Sequence, residues 1–236
     1  MSRPAAWKDK VDARTAVILL SAALLPTAYR CLGSSGFFDL HWAPLFSGSA
    51  MIPMYAVLYA WLSAFVLFFV LPAAVAKLGL NLKLRELGVR LGDARAGLTA
   101  LAVLFPVAAL LLLPTCRMAD FRTEYPLFHA AGQSLSVFII YELCYAVYYF
   151  GWEFFFRGFM LFGLADAFGA VNAVLIQTIP STLAHIGKPT PEVFASVAAG
   201  LVFGAIALKT RSVLYVFLLH WLIGVTLDVF IVLSPG

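Results

Sequence analysis

A short stretch in the second half of the chain places a carboxylate and a guanidinium four residues apart among aromatic side chains. It reads Gly151-Trp-Glu-Phe-Phe-Phe-Arg-Gly-Phe-Met160, and Glu153 and Arg157 are its ionisable residues. Residues four apart share one face of a helix, so these two can form an ion pair. Such a pair is either a structural salt bridge or a carboxylate kept charged for chemistry. Spacing alone leaves both interpretations open.

Four further ionisable residues lie within apolar runs, where each costs about 2.5–3.5 kcal/mol to insert. They are Glu142, His185, His220 and Asp228. Glu142 lies about three helical turns before Glu153 and is interpreted as a polar contact within the bundle. His185 stands near a predicted helix end, a position that also suits an interfacial side chain. A neutral imidazole at His220 needs hydrogen-bond partners that lipid does not offer, so it must point into the bundle.

One glutamate, one arginine and two histidines on apolar helices are suited to general acid–base hydrolysis. A carboxylate and an imidazole can together orient and deprotonate a water molecule, and a second imidazole can stabilise the oxyanion. A nucleophilic mechanism is poorly supported because no serine or cysteine stands in a GxSxG-type setting. A zinc peptidase is also poorly supported, since the sequence has no HExxH motif. Two histidines and one glutamate nevertheless leave a His₂Glu metal site open.

Composition identifies the class of protein that must position these side chains. Of the 236 residues, 63% are hydrophobic and 12% are charged, which indicates an integral membrane protein. The net charge of +4 lies in the predicted loops and fits membrane topology rather than nucleic-acid binding. The cysteines Cys31, Cys116 and Cys144 show no CxxC spacing, so we interpret them as small hydrophobic residues.

The chain contains about seven apolar runs. They cover residues 15–32, 52–76, 96–115, 133–163, 168–186, 192–208 and 212–233. Backbone groups in lipid must satisfy their own hydrogen bonds, and the runs lack the alternation of barrel strands, so we predict helices. The predicted fold is an all-α polytopic membrane helix bundle with about seven to eight spans. Residues 1–236 are predicted to form one membrane domain.

Basic residues predict the orientation of the bundle. The loop between the second and third runs is rich in lysine and arginine, which marks the cytoplasmic side. No small-residue cleavage site follows the first run, so we predict an uncleaved span. The prediction is a multi-pass protein of a bacterial-type cytoplasmic membrane with its N-terminus inside. The N-terminal side is also basic, because Arg3, Lys8, Lys10 and Arg14 lie ahead of the first run.

Three motifs in the second half of the chain resemble those of the CPBP intramembrane proteases, the Abi or CAAX-protease (Rce1-like) family. That family carries EExxxR, FxxxH and HxxxN or HxxxD on three helices. The counterparts here are Trp152-Glu153-Phe-Phe-Phe-Arg157, Ser181-Thr-Leu-Ala-His185 and His220-Trp-Leu-Ile-Gly224. The resemblance covers approximately residues 135–232. It implies a membrane-embedded glutamic protease that acts on a membrane-associated protein or peptide and binds no nucleic acid.

The resemblance also implies roles for individual residues. Glu153 would be the base, His185 would assist it and His220 would stabilise the oxyanion, with Arg157 holding Glu153 ionised. The family's first glutamate is replaced by Trp152, and its final Asn or Asp by Gly224. Asp228, one turn beyond Gly224, is the candidate substitute, which completes a predicted catalytic set of Glu153, Arg157, His185, His220 and Asp228 with no cofactor. The alternative is an inactive relative that binds a peptide or lipid, or serves as an accessory subunit.

The predicted spans place two of these residues at different depths. Glu153 falls near the inner end of the fourth run, whereas His185 falls near the outer end of the fifth. We therefore predict that Pro180 breaks the fifth helix and returns Ser181–Gly187 toward the site, or that the fourth helix is broken near Gly151. Irregular backbone at such depth is permitted only where it lines a cavity enclosed by protein or filled with water.

Overall fold

The computed structural model describes residues 12–234. Arg3, Lys8 and Lys10, which contribute to the predicted orientation, lie outside this range. Within this range the chain is helical, without β-strands, which confirms the all-α prediction. The α-helices, including the π-helical turns that continue three of them, are α1 (Ala13–Gly33), α2 (Ser35–His41), α3 (Ile52–Gly79), α4 (Ala94–Thr115), α5 (Ala119–Glu124), α6 (Leu135–Phe168), α7 (Ala170–Leu183), α8 (Thr190–Thr210) and α9 (Leu214–Leu233).

Six helices of the described range are long and apolar enough to cross a membrane, namely α1, α3, α4, α6, α8 and α9. The protein is therefore a multi-pass integral membrane protein. The fifth predicted run corresponds to α7, which has 14 residues. At 1.5 Å per residue this is about 21 Å, less than the ~30 Å of a bilayer core. One predicted span is thus a shorter helix packed inside the bundle.

Glycines allow α6 to pack closely on α3, and α8 to pack closely on α7. A Cβ on Gly151 would lie 3.2 Å from the Cα of Phe65, so α6 meets the backbone of α3 at this point. A Cβ on Gly200 would meet the side chain of Thr178, which packs α8 closely on α7. The amide of Gln177 also donates to the carbonyl of Gly200 at 2.9 Å. Small residues at such crossings allow the close approach that membrane helices use in place of a hydrophobic driving force.

The predicted break at Pro180 is wrong. Helix α7 runs through Pro180 and ends at Leu183, one turn later. A proline so near a helix end removes a single backbone hydrogen bond, and neighbouring helices in a bundle tolerate this loss. Helix α6 also continues past Gly151 without a break, although its backbone widens into a π-helical stretch over Phe154–Met160.

The turn between α6 and α7 resolves the difference in depth that the sequence predicted. The two helices are joined by Gly169, whose φ of 77° favours a residue without a Cβ. Glu153 lies fifteen residues before Phe168, and His185 lies fifteen residues after Ala170. Both therefore stand at a similar height above the same turn. The short α7 brings His185 to the level of Glu153 without any break in either helix.

Basic segments meet at one end of the bundle, which we call the basic end. Nε of Arg90 donates to the carbonyl of Arg211 at 3.0 Å, and the backbone N–H of Asp93 donates to the carbonyl of Thr210 at 2.8 Å. These contacts join the loop before α4 to the loop before α9. The loop that the sequence assigned to the cytoplasmic side thus lies beside the loop before α9.

Candidate active site

Glu153 is fully buried and makes two contacts through one carboxylate oxygen. Its Oε1 lies 3.2 Å from Nη1 of Arg157 and 2.6 Å from Nδ1 of His220. The predicted ion pair is therefore confirmed, and a histidine from α9 joins it. Desolvation disfavours a buried carboxylate, so it requires partners of this kind. The other oxygen, Oε2, has no hydrogen-bond partner among the described residues.

The helix that carries this pair changes its geometry where the two residues meet. Glu153 is the last residue before the π-helical stretch Phe154–Met160, which includes Arg157. A π stretch makes i→i+5 backbone hydrogen bonds and occurs frequently at functional sites. Every residue from 151 to 161 is buried, so packing on all sides holds the widened turn.

The guanidinium of Arg157 is enclosed by aromatic rings as well as by the carboxylate. Its Cζ lies 5.6 Å from the ring centroid of Phe203 on α8 and 5.9 Å from that of Phe156. Aromatic faces attract a cation within about 6 Å, and the attraction increases when water is excluded. The arginine therefore remains a fixed counter-charge inside the protein.

His220 stands between the buried carboxylate and two aromatic rings. Its ring centroid lies 4.6 Å from that of Tyr149 and 5.6 Å from that of Phe203, and its side chain is 21% exposed. An ionised carboxylate only accepts hydrogen bonds, so Nδ1 of His220 carries the proton. In the neutral ring Nε2 then holds the lone pair, which is the state of a general base.

His185 lies in the loop between α7 and α8 and is half-buried. Its Nδ1 donates to the backbone carbonyl of Ser181 at 2.7 Å, since a carbonyl can only accept. Burial lowers the pKa of His185 to about 4, so the ring is neutral at pH 7. Its centroid lies 5.2 Å from that of Trp152, in an edge-to-face arrangement. The lone pair of Nε2 is therefore available to accept a hydrogen bond.

Contacts with the end of α5 and with Tyr125, the residue after it, hold the loop that carries His185. Nζ of Lys188 lies 2.7 Å from Oε1 of Glu124 and 4.9 Å from the ring centroid of Tyr125. The hydroxyl of Tyr125 donates to the carboxylate of Glu192, with oxygen distances of 2.8 and 2.9 Å. These contacts fix the start of α8 and, with it, the position of the imidazole.

Trp152 stands where the family motif has its first glutamate. The side chain is 3% exposed and packs against Tyr148, Phe156 and the ring of His185. Its Nε1 has no hydrogen-bond acceptor among the described residues. An indole supplies an N–H donor and no acceptor, so this position cannot take a proton from water.

The structure does not bring Asp228 to Glu153. Its Oδ2 accepts a hydrogen bond from the hydroxyl of Tyr141 at 3.3 Å, and its carboxyl group lies beside that of Glu142. Within the described range, no donor reaches Oδ1 of Asp228 or either oxygen of Glu142. Two carboxyl groups in contact cannot both be charged at low cost, so we infer that they share a proton. Asp228 thus belongs to a carboxyl pair about two helical turns beyond His220.

The space beside Gly224 is filled by a tyrosine. A Cβ on Gly224 would overlap the hydroxyl oxygen of Tyr149, so this hydroxyl takes the place of a side chain at position 224. Tyr149 is buried and also packs on the ring of His220. We did not predict this residue from the sequence. Its position four residues before Glu153, on the same helix face, is the signal that identifies it.

The side chains do not form a metal site of the His₂Glu kind in the structure. Across residues 12–234, three or more His, Cys, Asp or Glu side chains are nowhere grouped so as to hold a metal ion. Glu153 lies behind the ring of His220 and orients it, rather than beside its free Nε2. The prediction that no cofactor is needed remains to be tested by chelation.

A comparison with known protein families gives one match. The family model described as type II CAAX prenyl endopeptidase Rce1-like matches residues 127–226, a segment that contains all three motifs. No curated protein and no solved structure gives a significant match. The description of the matched family is that of an endopeptidase. The match to residues 127–226 confirms the resemblance of the three motifs to the CPBP family.

Proposed function

We propose that the protein is an intramembrane endopeptidase that hydrolyses a peptide bond of a membrane-associated protein by activating water. The observation that supports this most directly is the 2.6 Å contact between Glu153 and His220, with Arg157 as the counter-charge. A carboxylate bonded to Nδ1 fixes the orientation of an imidazole and stabilises the imidazolium that forms on proton transfer. The proposed location is a bacterial-type cytoplasmic membrane, with the N-terminus inside.

This geometry favours a division of roles that differs from the sequence prediction. Glu153 is fully buried and its Oε1 is already bonded, whereas His220 is partly exposed and its Nε2 is unbonded. We therefore assign the general base to Nε2 of His220 and the orienting role to Glu153. Nε2 of His185 accepts a hydrogen bond from the second hydrogen of the water, because its Nδ1 is bonded to Ser181. Position 152 needs no carboxylate in this scheme.

The proposed reaction proceeds in two steps. Water attacks the peptide carbonyl carbon while Nε2 of His220 takes one water proton, and the carbonyl oxygen becomes an oxyanion. The hydroxyl of Tyr149 donates a hydrogen bond to that oxyanion. The imidazolium then returns its proton to the amide nitrogen as the carbon–nitrogen bond breaks. The products are a carboxylic acid and an amine, and the histidine returns to its neutral state.

An inactive relative that binds a peptide or lipid is the second candidate. The buried Trp152, whose indole replaces the family's first carboxylate, is the observation that favours it. Glu153, His185 and His220 would then serve as polar contacts for a ligand. The same purified protein can distinguish cleavage from binding.

The test incubates the protein in neutral detergent with a peptide library and identifies new termini by mass spectrometry. We expect cleavage by the wild type and a loss of at least about 10²-fold in Glu153→Gln. Glu142→Gln is the matched control, because it changes a buried glutamate of the same helix that does not contact His220. Activity should persist in the presence of a chelator. Peptide binding without cleavage by the wild type would support the inactive alternative.

A further inference from the structure

A cavity of about 510 Å³ opens between α4 and α8 at the basic end of the bundle. This volume falls within the ~300–1,000 Å³ of sites that hold small molecules. The cavity does not include Glu153, His185 or His220. Its lining combines charged, hydroxyl and apolar side chains, among them Asp93, Arg95, Thr99, Val103, Ile206 and Lys209.

The charged residues give the mouth of the cavity a net positive charge. Arg95 and Lys209 are exposed, and neither takes part in an ion pair among the described residues. Oδ1 of Asp93 accepts the N–H of Ala96 at 3.0 Å and thereby caps α4, which leaves its other oxygen open. Two unpaired cations therefore face one carboxylate that can still accept a hydrogen bond.

The cavity continues into a surface that faces lipid. Only 6% of the apolar stretch of α4 that could cross a membrane is buried inside the protein. Val103, which lines the cavity, is 57% exposed, and Leu98 and Leu111 on the same helix are also exposed. Val103 lies eight residues, or about 12 Å, along the helix from Arg95. A ligand with a charged head and an apolar chain matches this order of side chains.

We propose that this cavity binds one anionic phospholipid with a hydroxyl-bearing headgroup, such as phosphatidylglycerol. The phosphate lies between Arg95 and Lys209, and a headgroup hydroxyl donates to the free oxygen of Asp93. An acyl chain follows Val103 and Ile206 toward the exposed leucines of α4. Basic pockets between membrane helices are suited to anionic headgroups because two fixed cations replace the hydration of the phosphate.

Such a lipid would join the ends of two helices, one of which reaches the candidate active site. Ile206 and Lys209 lie about one and two turns from Phe203 on α8. Phe203 packs against both His220 and the guanidinium of Arg157. Lipid binding at this cavity is independent of whether the protein is a protease, and the test below does not measure proteolysis.

The test titrates the purified protein in neutral detergent with dioctanoyl phosphatidylglycerol and counts bound lipid by native mass spectrometry. We expect one tightly bound lipid, and an affinity at least about tenfold weaker in Arg95→Ala/Lys209→Ala. Arg95→Lys keeps the charge and should retain most of the affinity. Arg85→Ala is the matched control, because Arg85 is an exposed basic residue near the same end that does not line the cavity.

Separate titrations distinguish a lipid from other sources of phosphate. Dioctanoyl phosphatidylcholine, glycerol 3-phosphate and inorganic phosphate should each bind at least about tenfold more weakly than phosphatidylglycerol. The thermal-unfolding midpoint without lipid should be the same in all variants, because Arg95 and Lys209 are both exposed. Lys209→Gln alone provides a second, milder variant. Equal binding by the double variant, an equal loss in Arg85→Ala, or equal affinity for phosphatidylcholine or the soluble phosphates would overturn the proposal.

Discussion

Nδ1 of His220 lies 2.6 Å from Oε1 of Glu153, the same oxygen that Arg157 approaches at 3.2 Å. One carboxylate oxygen thus links a cation of its own helix to an imidazole from another. The contact with Arg157 balances the buried charge, and the contact with His220 directs the imidazole. The two interpretations of the ion pair, a salt bridge inside the bundle and support for chemistry, are therefore compatible.

Replacing Arg157 with leucine is expected to destabilise the protein and abolish hydrolysis. Glu153 would stay buried without its counter-charge, and breaking a buried pair in this way costs roughly 3–5 kcal/mol. The measurements are the thermal-unfolding midpoint in neutral detergent and the rate of peptide cleavage. Arg157→Lys should retain more stability, because it keeps the positive charge.

A double variant separates this charge effect from a loss of packing. Glu153→Gln/Arg157→Leu leaves no uncompensated charge, so its unfolding midpoint should lie above that of Arg157→Leu alone. A double variant that unfolds as early as the single one would show that Arg157 stabilises the protein through packing alone.

Removing the hydroxyl of Tyr149 should slow hydrolysis while leaving the fold intact. Tyr149→Phe keeps the ring that packs on His220 and deletes the proposed oxyanion donor. Loss of such a donor lowers kcat by about 10²–10³-fold, and KM should change little. Tyr59→Phe is the control, because it deletes a hydroxyl that bonds the carbonyl of Leu32 at 2.6 Å, on other helices. If Tyr149→Phe were as active as wild type, the oxyanion donor would have to be another group.

Asp228→Asn is expected to leave hydrolysis nearly unchanged and the protein at least as stable as wild type. The new amide can donate to the carboxylate of Glu142, which replaces the shared proton with a permanent donor. Asp228→Ala should be less stable, because it removes the acceptor of the Tyr141 hydroxyl. Unfolding midpoints and cleavage rates of both variants check this. A folded but inactive Asp228→Asn protein would return Asp228 to the catalytic set.

Much of the fold and part of the site could be predicted because membrane insertion makes the relevant signals strong. A charged side chain in a run of about 20 apolar residues must have a partner, so Glu153, Arg157 and His220 could be selected from the sequence alone. The i, i+4 spacing predicted their first contact correctly.

What could not be predicted depends on helix lengths and on contacts between distant parts of the chain. The apolar run at 168–186 does not reveal that α7 ends at Leu183, because Ala184 and Ile186 continue the run beyond that residue. The hydroxyl of Tyr149 replaces a side chain at Gly224 only because α6 and α9 pack at one particular register. The contact of Asp228 with Glu142 depends on the same register, which no local pattern encodes.

Stability should decrease as the pH falls from about 7 toward 4, and His185 should account for part of this decrease. Burial lowers the pKa of His185 from 6.5 to about 4, with a smaller opposing effect from the bond to the Ser181 carbonyl. Between these two values the unfolded chain binds a proton at this ring that the folded protein does not. Stability therefore rises with pH through this window and is lost as the pH falls.

The measurement is the thermal-unfolding midpoint in neutral detergent at a series of pH values from 4 to 7.5. His185→Asn cannot take up the proton, so its midpoint should depend less on pH than that of the wild type across this window. His41→Asn is the control, because His41 is exposed on α2, and it should keep the wild-type dependence. Since the ring of His185 is neutral well below pH 7, its ability to accept a hydrogen bond from water should also persist at mildly acidic pH. Identical pH profiles for wild type and His185→Asn would show that this ring is not desolvated in the folded protein, and would remove the basis for its proposed role as an acceptor.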